Sequence, residues 1–80
     1  MTVTVLLFAS YAEALGSSTI DVDMRAGATV HDLLMHLRAL PGADRLPASP
    51  LVAVNEQYAR LENILGPGDE VAVIPPVAGG

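Results

Sequence analysis

One segment of this 80-residue chain has the apolar spacing of a long helix, and no other segment shares it. Its apolar residues recur three and four positions apart, at Val30, Leu33, Leu34, Leu37 and Leu40. Thr29 can cap the first turn, and Asp32 lies three residues later, near the positive end of the helix dipole. Pro41 and Gly42 are typical of a helix end. We therefore expect one main amphipathic helix.

The remaining regular segments are short and rich in β-branched residues. Strands are predicted at Thr2–Phe8, Thr19–Met24, Leu51–Val54, around Tyr58 and Ala59, and at Glu70–Ile74. The pattern also predicts one helical turn at Tyr11–Leu15, closed by Gly16, and a turn or short helix at Leu61–Leu65. Residues 66–69, Gly-Pro-Gly-Asp, predict a turn that leads into the last strand.

This order of elements predicts an α+β fold, in which a mixed sheet packs on one main helix, as in the ubiquitin-like β-grasp. Its first and last strands would lie parallel at the centre of the sheet. Central strands are buried on both faces, which explains the nearly continuous apolar runs in Thr2–Phe8 and Glu70–Ile74. A ferredoxin-like fold is the alternative, but it needs a second full helix, and Leu61–Leu65 is too short to supply one.

Charge and cysteine content exclude several classes of function. Nine acidic residues, four arginines and no lysine give a formal charge of -5, which is the wrong sign for tracking the phosphates of a nucleic acid. An acidic chain suits docking onto basic protein surfaces, although the same charge also serves solubility. Without cysteine there is no disulfide, no thiolate zinc site and no cysteine nucleophile.

The sequence predicts a cytoplasmic protein with no membrane partner. Val3–Ala9 is apolar, but no basic residue precedes it and Glu13 follows it, so it does not resemble a secretory signal. No apolar run reaches the roughly 18–20 residues that a membrane-spanning helix needs.

No catalytic or metal-binding pattern is present in the sequence. His31 and His36 lie five residues apart on the predicted helix, which does not bring two imidazoles to one metal ion, so no metal site is expected. Gly66-Pro67-Gly68 lacks the spacing and the lysine of a phosphate-binding loop. We expect a protein that is not an enzyme by itself and binds no cofactor.

The C-terminal segment is the most distinctive part of the chain. Pro75 and Pro76 end the last strand and favour an extended path, and small residues follow them to the end, at Val77, Ala78, Gly79 and Gly80. Such a tail can pass through a channel too narrow for larger side chains and present a carboxylate to another protein. We therefore divide the chain into a β-grasp domain over residues 1–74 and an extended tail over residues 75–80.

Three apolar side chains are predicted on the sheet face that lies away from the helix. Phe8 and Ile74 come from neighbouring strands and alternate with the core positions Leu7 and Val73, and Tyr58 should lie nearby. Exposed apolar residues in a small acidic protein indicate a docking patch.

Several short motifs spread over the whole chain resemble the ubiquitin-like MoaD/ThiS family of sulfur carriers. They are Leu7-Phe8-Ala9 with Glu13 and Gly16, Ala53-Val54-Asn55, Leu65 with Gly68-Asp69-Glu70-Val71-Ala72, Pro75-Pro76-Val77 and Gly79-Gly80. Ala12 departs from the pattern, because the family often has arginine there, and no arginine contact is carried over.

The resemblance implies a carrier cycle with two protein partners. An E1-like adenylyltransferase of the MoeB type would use ATP to adenylate the carboxylate of Gly80, and sulfur would then replace AMP to give a thiocarboxylate. The tail would next enter the large, MoaE-type subunit of molybdopterin synthase and donate sulfur to cyclic pyranopterin monophosphate. The resemblance also implies partner contacts at Phe8, Tyr58 and Ile74 and along residues 75–78, with Gly79 fixing the path of the tail.

Three other functions remain open at this point. The chain could serve thiamine synthesis or another sulfur pathway with the same tail. It could be a ubiquitin-like modifier that is joined to lysines of other proteins, although it has no lysine of its own. It could also be a plain β-grasp interaction module, which would leave residues 75–80 without a role.

Overall fold

The computed structural model describes residues 1–45 and 50–75 of the chain. The strands are β1 (Thr2–Leu7), β2 (Thr19–Asp23), β3 (Leu51–Val54), β4 (Gln57–Tyr58) and β5 (Glu70–Ile74). The helices are α1 (Ser10–Leu15), α2 (Val30–Arg38) and a single 3₁₀ turn (Ala43–Arg45) that follows α2. Each predicted strand and helix is therefore confirmed to within one or two residues at its ends.

The five strands form one mixed sheet in the order β2-β1-β5-β3-β4. β1 and β5 run parallel at its centre, with Val5 opposite Val71 and Leu7 opposite Val73, and the other neighbouring strands are antiparallel. This is the predicted β-grasp arrangement. The ferredoxin-like alternative is wrong, because Leu61–Leu65 forms a turn with one bridge, Ile64 to Thr29, and no helix.

α2 begins at Val30, directly after its N-cap residue Thr29, and a capping box fixes this start. The hydroxyl of Thr29 accepts a hydrogen bond from the backbone N–H of Asp32 (3.2 Å), and the Asp32 carboxylate accepts one from the backbone N–H of Thr29 (2.9 Å). The next two N–H groups, of Val30 and His31, donate to the carbonyls of Asn63 and Leu61 at 3.0 Å each. The loop before β5 thus satisfies the donors that a helix start leaves unpaired, which a single cap residue cannot do alone.

The same helix ends earlier than the apolar spacing predicts. Ala39 is the C-cap residue of α2. Its N–H donates to the carbonyl of His36, and the N–H of Leu40 donates to the carbonyl of Leu37. These three-residue spacings tighten the last turn ahead of Pro41, so Leu40 lies beyond the helix and is only partly buried.

The core lies between α2 and one face of the sheet. Val30, Leu33 and Leu37 of α2 are at most 2% exposed, whereas Leu34 and Leu40 only pack against its edge. The sheet contributes alternate residues of its strands, Val3, Val5, Leu7, Val22, Val52, Val71 and Val73. No helix of the described residues is long and apolar enough to cross a membrane.

Candidate functional site

The sheet face opposite α2 has an apolar half. Because alternate residues of β1 and β5 point into the core, Leu6, Ala72 and Ile74 point to the other face. Residues that pair across strands share a face, and Leu6 pairs with Ala72, Leu51 with Ile74, and Ala53 with both Ala72 and Tyr58. We call the resulting surface the apolar patch, and its members are Leu6, Phe8, Leu51, Ala53, Tyr58, Ala72 and Ile74.

The three large side chains at the rim of the apolar patch are well exposed. Phe8 is 45% exposed, Leu51 is 43% exposed and Tyr58 is 78% exposed, while Ile74 between them is partly buried. Isolated exposed apolar residues are ordinary on a protein surface, whereas adjoining ones are typical of surfaces that bind a partner.

Phe8 is held outside by the turn that follows it. β1 ends at Leu7, which pairs with Val73 of β5. The next residue, Phe8, therefore lies level with Ile74. Ala9 then has a φ of 48°, which sends the chain into α1, and the N–H of Tyr11 donates to the carbonyl of Phe8 at 3.0 Å. Tyr11 is 1% exposed, so this turn buries Tyr11 and leaves Phe8 in solvent. Burial raises the pKa of Tyr11, and the positive charge of Arg38 partly opposes that rise.

Tyr58 is positioned by the tight turn between β3 and β4. Asn55 and Glu56 have positive φ values of 49° and 72°, as a two-residue hairpin of this type requires. The Asn55 amide donates to the carboxylate of Asp69 (3.0 Å), and its carbonyl accepts from the N–H of Glu70 (3.0 Å). Asp69 also accepts from the N–H of Gly66 (2.7 Å). The turn is therefore anchored to the start of β5.

These hydrogen bonds also act on the charge of Asp69. The bond from the Gly66 backbone has the largest effect and lowers the pKa of the Asp69 carboxyl, and the bond from Asn55 lowers it further. Asp69 is thus held as a carboxylate beside the turn that presents Tyr58.

The other half of the same sheet face is polar and acidic. Asp21 and Asp23 of β2 and Glu70 of β5 are exposed there, and the hydroxyl of Thr4 donates to Asp21 at 3.0 Å. None of the described strand residues that point to this face is basic. A partner that covers the whole face would therefore meet an apolar surface on one side and negative charge on the other.

The apolar patch borders the start of the predicted tail. β5 ends at Ile74, as the two prolines predict, and the partly buried Pro75 is the last described residue. The remaining predicted site residues, Pro76, Val77, Ala78, Gly79 and Gly80, lie outside the described residues. Pairing across the sheet brings Tyr58 and Ile74 together through Leu51 and Ala53, and Phe8 joins them at the end of β1.

Sequence reasoning missed four members of the apolar patch: Leu6, Leu51, Ala53 and Ala72. Leu51–Val54 is a continuous apolar run, so its composition does not say which residues face the core. Alternation could have placed Leu51 and Ala53 on one face, but assigning that face to the patch needed the register with β5.

Groups suited to catalysis are scarce in the part of the chain that the structure describes. Residues 1–45 and 50–75 contain no cluster of three or more histidine, cysteine or acidic residues that could hold a metal ion. His31 and His36 are both exposed on α2. A cavity beside Tyr11 and Leu37 has a volume of only about 20 Å³, roughly the space of one water molecule.

A mixed five-stranded sheet that packs on one main helix, with β1 and β5 parallel at its centre, defines a ubiquitin-like β-grasp protein. The chain belongs to the ThiS family, because the model of that family matches residues 5–80.

The chain is also similar over nearly its whole length to individual proteins. The molybdopterin synthase sulfur carrier subunit of Chlamydomonas reinhardtii is 36% identical and covers 100% of both chains. The human protein of the same name is 39% identical, over 98% of this chain and 93% of its own. The crystal structure of small archaeal modifier protein 1 from Haloferax volcanii is 34% identical, with a TM-score of 0.84 over 95% of this chain and 98% of that one.

Proposed function

We propose that this chain is a sulfur carrier, the small subunit of a molybdopterin synthase. The observation that carries the proposal is the position of the apolar patch. It includes Ile74, the last residue of β5, and so lies directly before Pro75, where the tail begins. The full-length similarity to proteins named molybdopterin synthase sulfur carrier subunit supports the proposal and favours this pathway among the uses of the family.

The chemistry we propose is centred on Gly80. A carboxylate is a poor electrophile, so an E1-like adenylyltransferase of the MoeB type first joins it to AMP from ATP and releases pyrophosphate. A sulfur nucleophile then attacks the acyl carbon and AMP leaves, which yields a C-terminal thiocarboxylate. The thiocarboxylate sulfur forms a bond to cyclic pyranopterin monophosphate, and water then cleaves the acyl–sulfur bond. The sulfur stays on the pterin, and the Gly80 carboxylate is regenerated for another cycle. The carrier binds no cofactor, and because activation uses ATP the proposal implies a cytoplasmic protein.

In this cycle the two parts of the chain have separate tasks. The β-grasp domain, residues 1–74, docks through Phe8, Tyr58 and Ile74 onto the activating enzyme and onto the large MoaE-type subunit in turn. The tail, residues 75–80, reaches the reaction centre of each partner. The acidic half of the sheet face favours partners with a basic surface beside their apolar contact, since opposite charges steer the encounter and fix its orientation.

Intact-mass spectrometry tests the proposal directly. The chain is incubated with an E1-like adenylyltransferase, ATP and a sulfur donor, and replacement of one oxygen by sulfur adds a mass of about 16 Da. Two variants separate chemistry from folding. Deletion of Gly80 withdraws the carboxylate by about 3.5 Å. Gly79→Ala adds a methyl group where the channel should be narrowest.

We expect both variants to unfold at the wild-type urea concentration and to lose sulfur transfer. A wild-type chain that never gains the mass, or a Gly80-deleted chain that still supports molybdopterin formation, would refute the carrier function.

A second candidate function is that of a ubiquitin-like protein modifier. The similarity to small archaeal modifier protein 1 favours it, at 34% identity over 95% of this chain. The same incubation distinguishes the two functions. A modifier becomes attached to lysines of other proteins, which adds its own mass to theirs, whereas a sulfur carrier gains one sulfur and stays free.

A further inference from the structure

A second surface lies on the far side of the molecule from the apolar patch. It is a groove of about 370 Å³ between α2 and the chain segments that flank it. We call it the α2 groove, and the described residues that line it are His31, Leu34, Met35, Arg38, Pro50 and Leu61. Because α2 covers the opposite face of the sheet, a protein seated on the apolar patch leaves this groove open.

The floor of the α2 groove is apolar and accessible. Met35 is 54% exposed and Leu61 is 48% exposed, while Leu34 is half-buried against the core. Leu61 is held at the start of the helix, since its carbonyl accepts the N–H of His31 at 3.0 Å. The groove is therefore built from a regular helix, an anchored loop and Pro50 before β3, and the apolar side chains Met35 and Leu61 are exposed to a ligand.

The charge of the α2 groove is opposite to that of the whole chain. The formal net charge is -5, yet none of the described lining residues is acidic, and Arg38 and His31 are both exposed. Arg38 forms no salt bridge with any residue in the described ranges. The neighbouring Asp32 is already bound, to the Thr29 N–H and at 3.1 Å to Arg25. Glu62 is exposed next to Leu61 but does not line the groove.

The spacing along α2 defines what the groove can hold. His31, Leu34, Met35 and Arg38 stand at positions i, i+3, i+4 and i+7, so they form one stripe in which the apolar residues lie between an imidazole and a guanidinium group. At a rise of 1.5 Å per residue, the ends of this stripe lie about 10 Å apart along the helix. A complementary ligand therefore presents one or two apolar side chains between two carboxylates about 10 Å apart.

We propose that the α2 groove binds an acidic amphipathic segment of a partner protein. Arg38 pairs with one carboxylate, His31 receives the other, and Met35 and Leu61 contact the apolar side chains between them. Since the groove and the apolar patch lie on opposite sides, such a partner can hold the protein while the patch is occupied. This inference does not depend on the sulfur-carrier function.

Two synthetic peptides test the charge preference. The first is an alanine-rich helical peptide with two adjacent leucines between two glutamates seven positions apart, and the second has lysines in place of those glutamates. Each is titrated into the isotopically labelled full chain and followed by NMR and calorimetry. We expect the glutamate peptide to shift the signals of His31, Met35, Arg38 and Leu61, to bind at least tenfold more tightly than the lysine peptide, and to weaken as salt is added.

Three variants locate the binding. Arg38→Gln should weaken binding of the glutamate peptide by about two- to fivefold, which is the contribution of one exposed ion pair. Met35→Asp should weaken it more than tenfold, and its exposed position keeps the fold intact. Phe8→Ala is the matched control, since it removes a comparable apolar side chain from the opposite face and should leave the affinity unchanged.

Four results would overturn the inference. They are no binding of the glutamate peptide, equal affinity for both peptides, shifts that map to the apolar patch, and a dimer that buries the groove in sedimentation experiments. The last would assign the groove to a second copy of the chain. Sulfur loading of the same variants, followed by intact mass, reports on the carrier function independently.

Discussion

The backbone of Gly42 lies directly against the carbonyl oxygen of Ala14. A side chain at position 42 would overlap that oxygen, and the φ of 88° at Gly42 already favours glycine. The contact joins the end of α1 to the segment after α2, so the two helices are linked through bare backbone.

Gly42→Ala should therefore destabilise the fold by about 3 kcal/mol or more, because the new methyl group meets a carbonyl that cannot move without shifting α1. Gly27→Ala is the matched control, since its φ is also positive, 83°, but nothing lies within 4 Å of the added carbon. It should cost only about 1–2 kcal/mol. Urea unfolding measures both variants, and equal losses would contradict the contact.

Ala9 has the opposite mismatch, a residue with a Cβ in a backbone conformation that suits glycine. Its φ is 48°, so Ala9→Gly should stabilise the protein by about 0.5–1 kcal/mol despite the added freedom of the unfolded chain. Ala14→Gly, inside α1, should have the opposite sign and cost about 0.5–1 kcal/mol. A lower melting temperature for Ala9→Gly would contradict the strain at this turn.

Leu37 is, with Leu33, one of the two leucines that α2 buries in the core, and only 2% of it is exposed. Leu37→Ala leaves a cavity in the core and should cost about 2–5 kcal/mol. Met35→Ala on the exposed side of the same helix should change the free energy of unfolding by less than about 0.5 kcal/mol. An unchanged urea midpoint for Leu37→Ala would show that this face of α2 does not form part of the core.

Two carboxylates should make the fold sensitive to acid. The pKa of Asp32 is lowered chiefly by the hydrogen bond from the Thr29 backbone, and that of Asp69 chiefly by the bond from the Gly66 backbone. A folded pKa below the unfolded value of about 3.9 contributes stability above that pH, and this stability is lost as pH falls through the folded pKa. The loss should therefore occur below about pH 4.

Asp32→Asn and Asp69→Asn, combined in one chain, should flatten that acid dependence. Urea midpoints measured from about pH 6 down to about pH 2 would follow a shallower curve in the double variant than in the wild type. Parallel curves would show that these hydrogen bonds do not act on the charged form.

Phe8→Ala tests the apolar patch as a docking surface. Because Phe8 is 45% exposed, its loss should barely change stability but should weaken binding to the large MoaE-type subunit more than tenfold. Thr2→Ala, an exposed position at the other end of β1, should bind like the wild type. If Phe8→Ala unfolded the protein without a separate binding defect, Phe8 would be a core residue and the patch would be lost.

The candidate site was only partly predictable for a geometric reason. Alternation within β1 and β5 was enough to expect Phe8 and Ile74 on the outer face. The contribution of Leu51 depends on its pairing with Ile74, which is distant in sequence. No local pattern encodes which residues of two separate strands stand opposite each other.

The sequence by itself determined the local elements. The spacing of leucines, the Thr29–Asp32 cap and the two prolines after Ile74 act over a few residues, so helix, cap and strand end could be read directly. Only the tertiary structure decided which of these elements meet. It set Leu51 beside Ile74 to complete the apolar patch, and it set Leu61 beside His31 to close the α2 groove. Such pairings come from the packing of distant segments around one core, which no short stretch of sequence specifies.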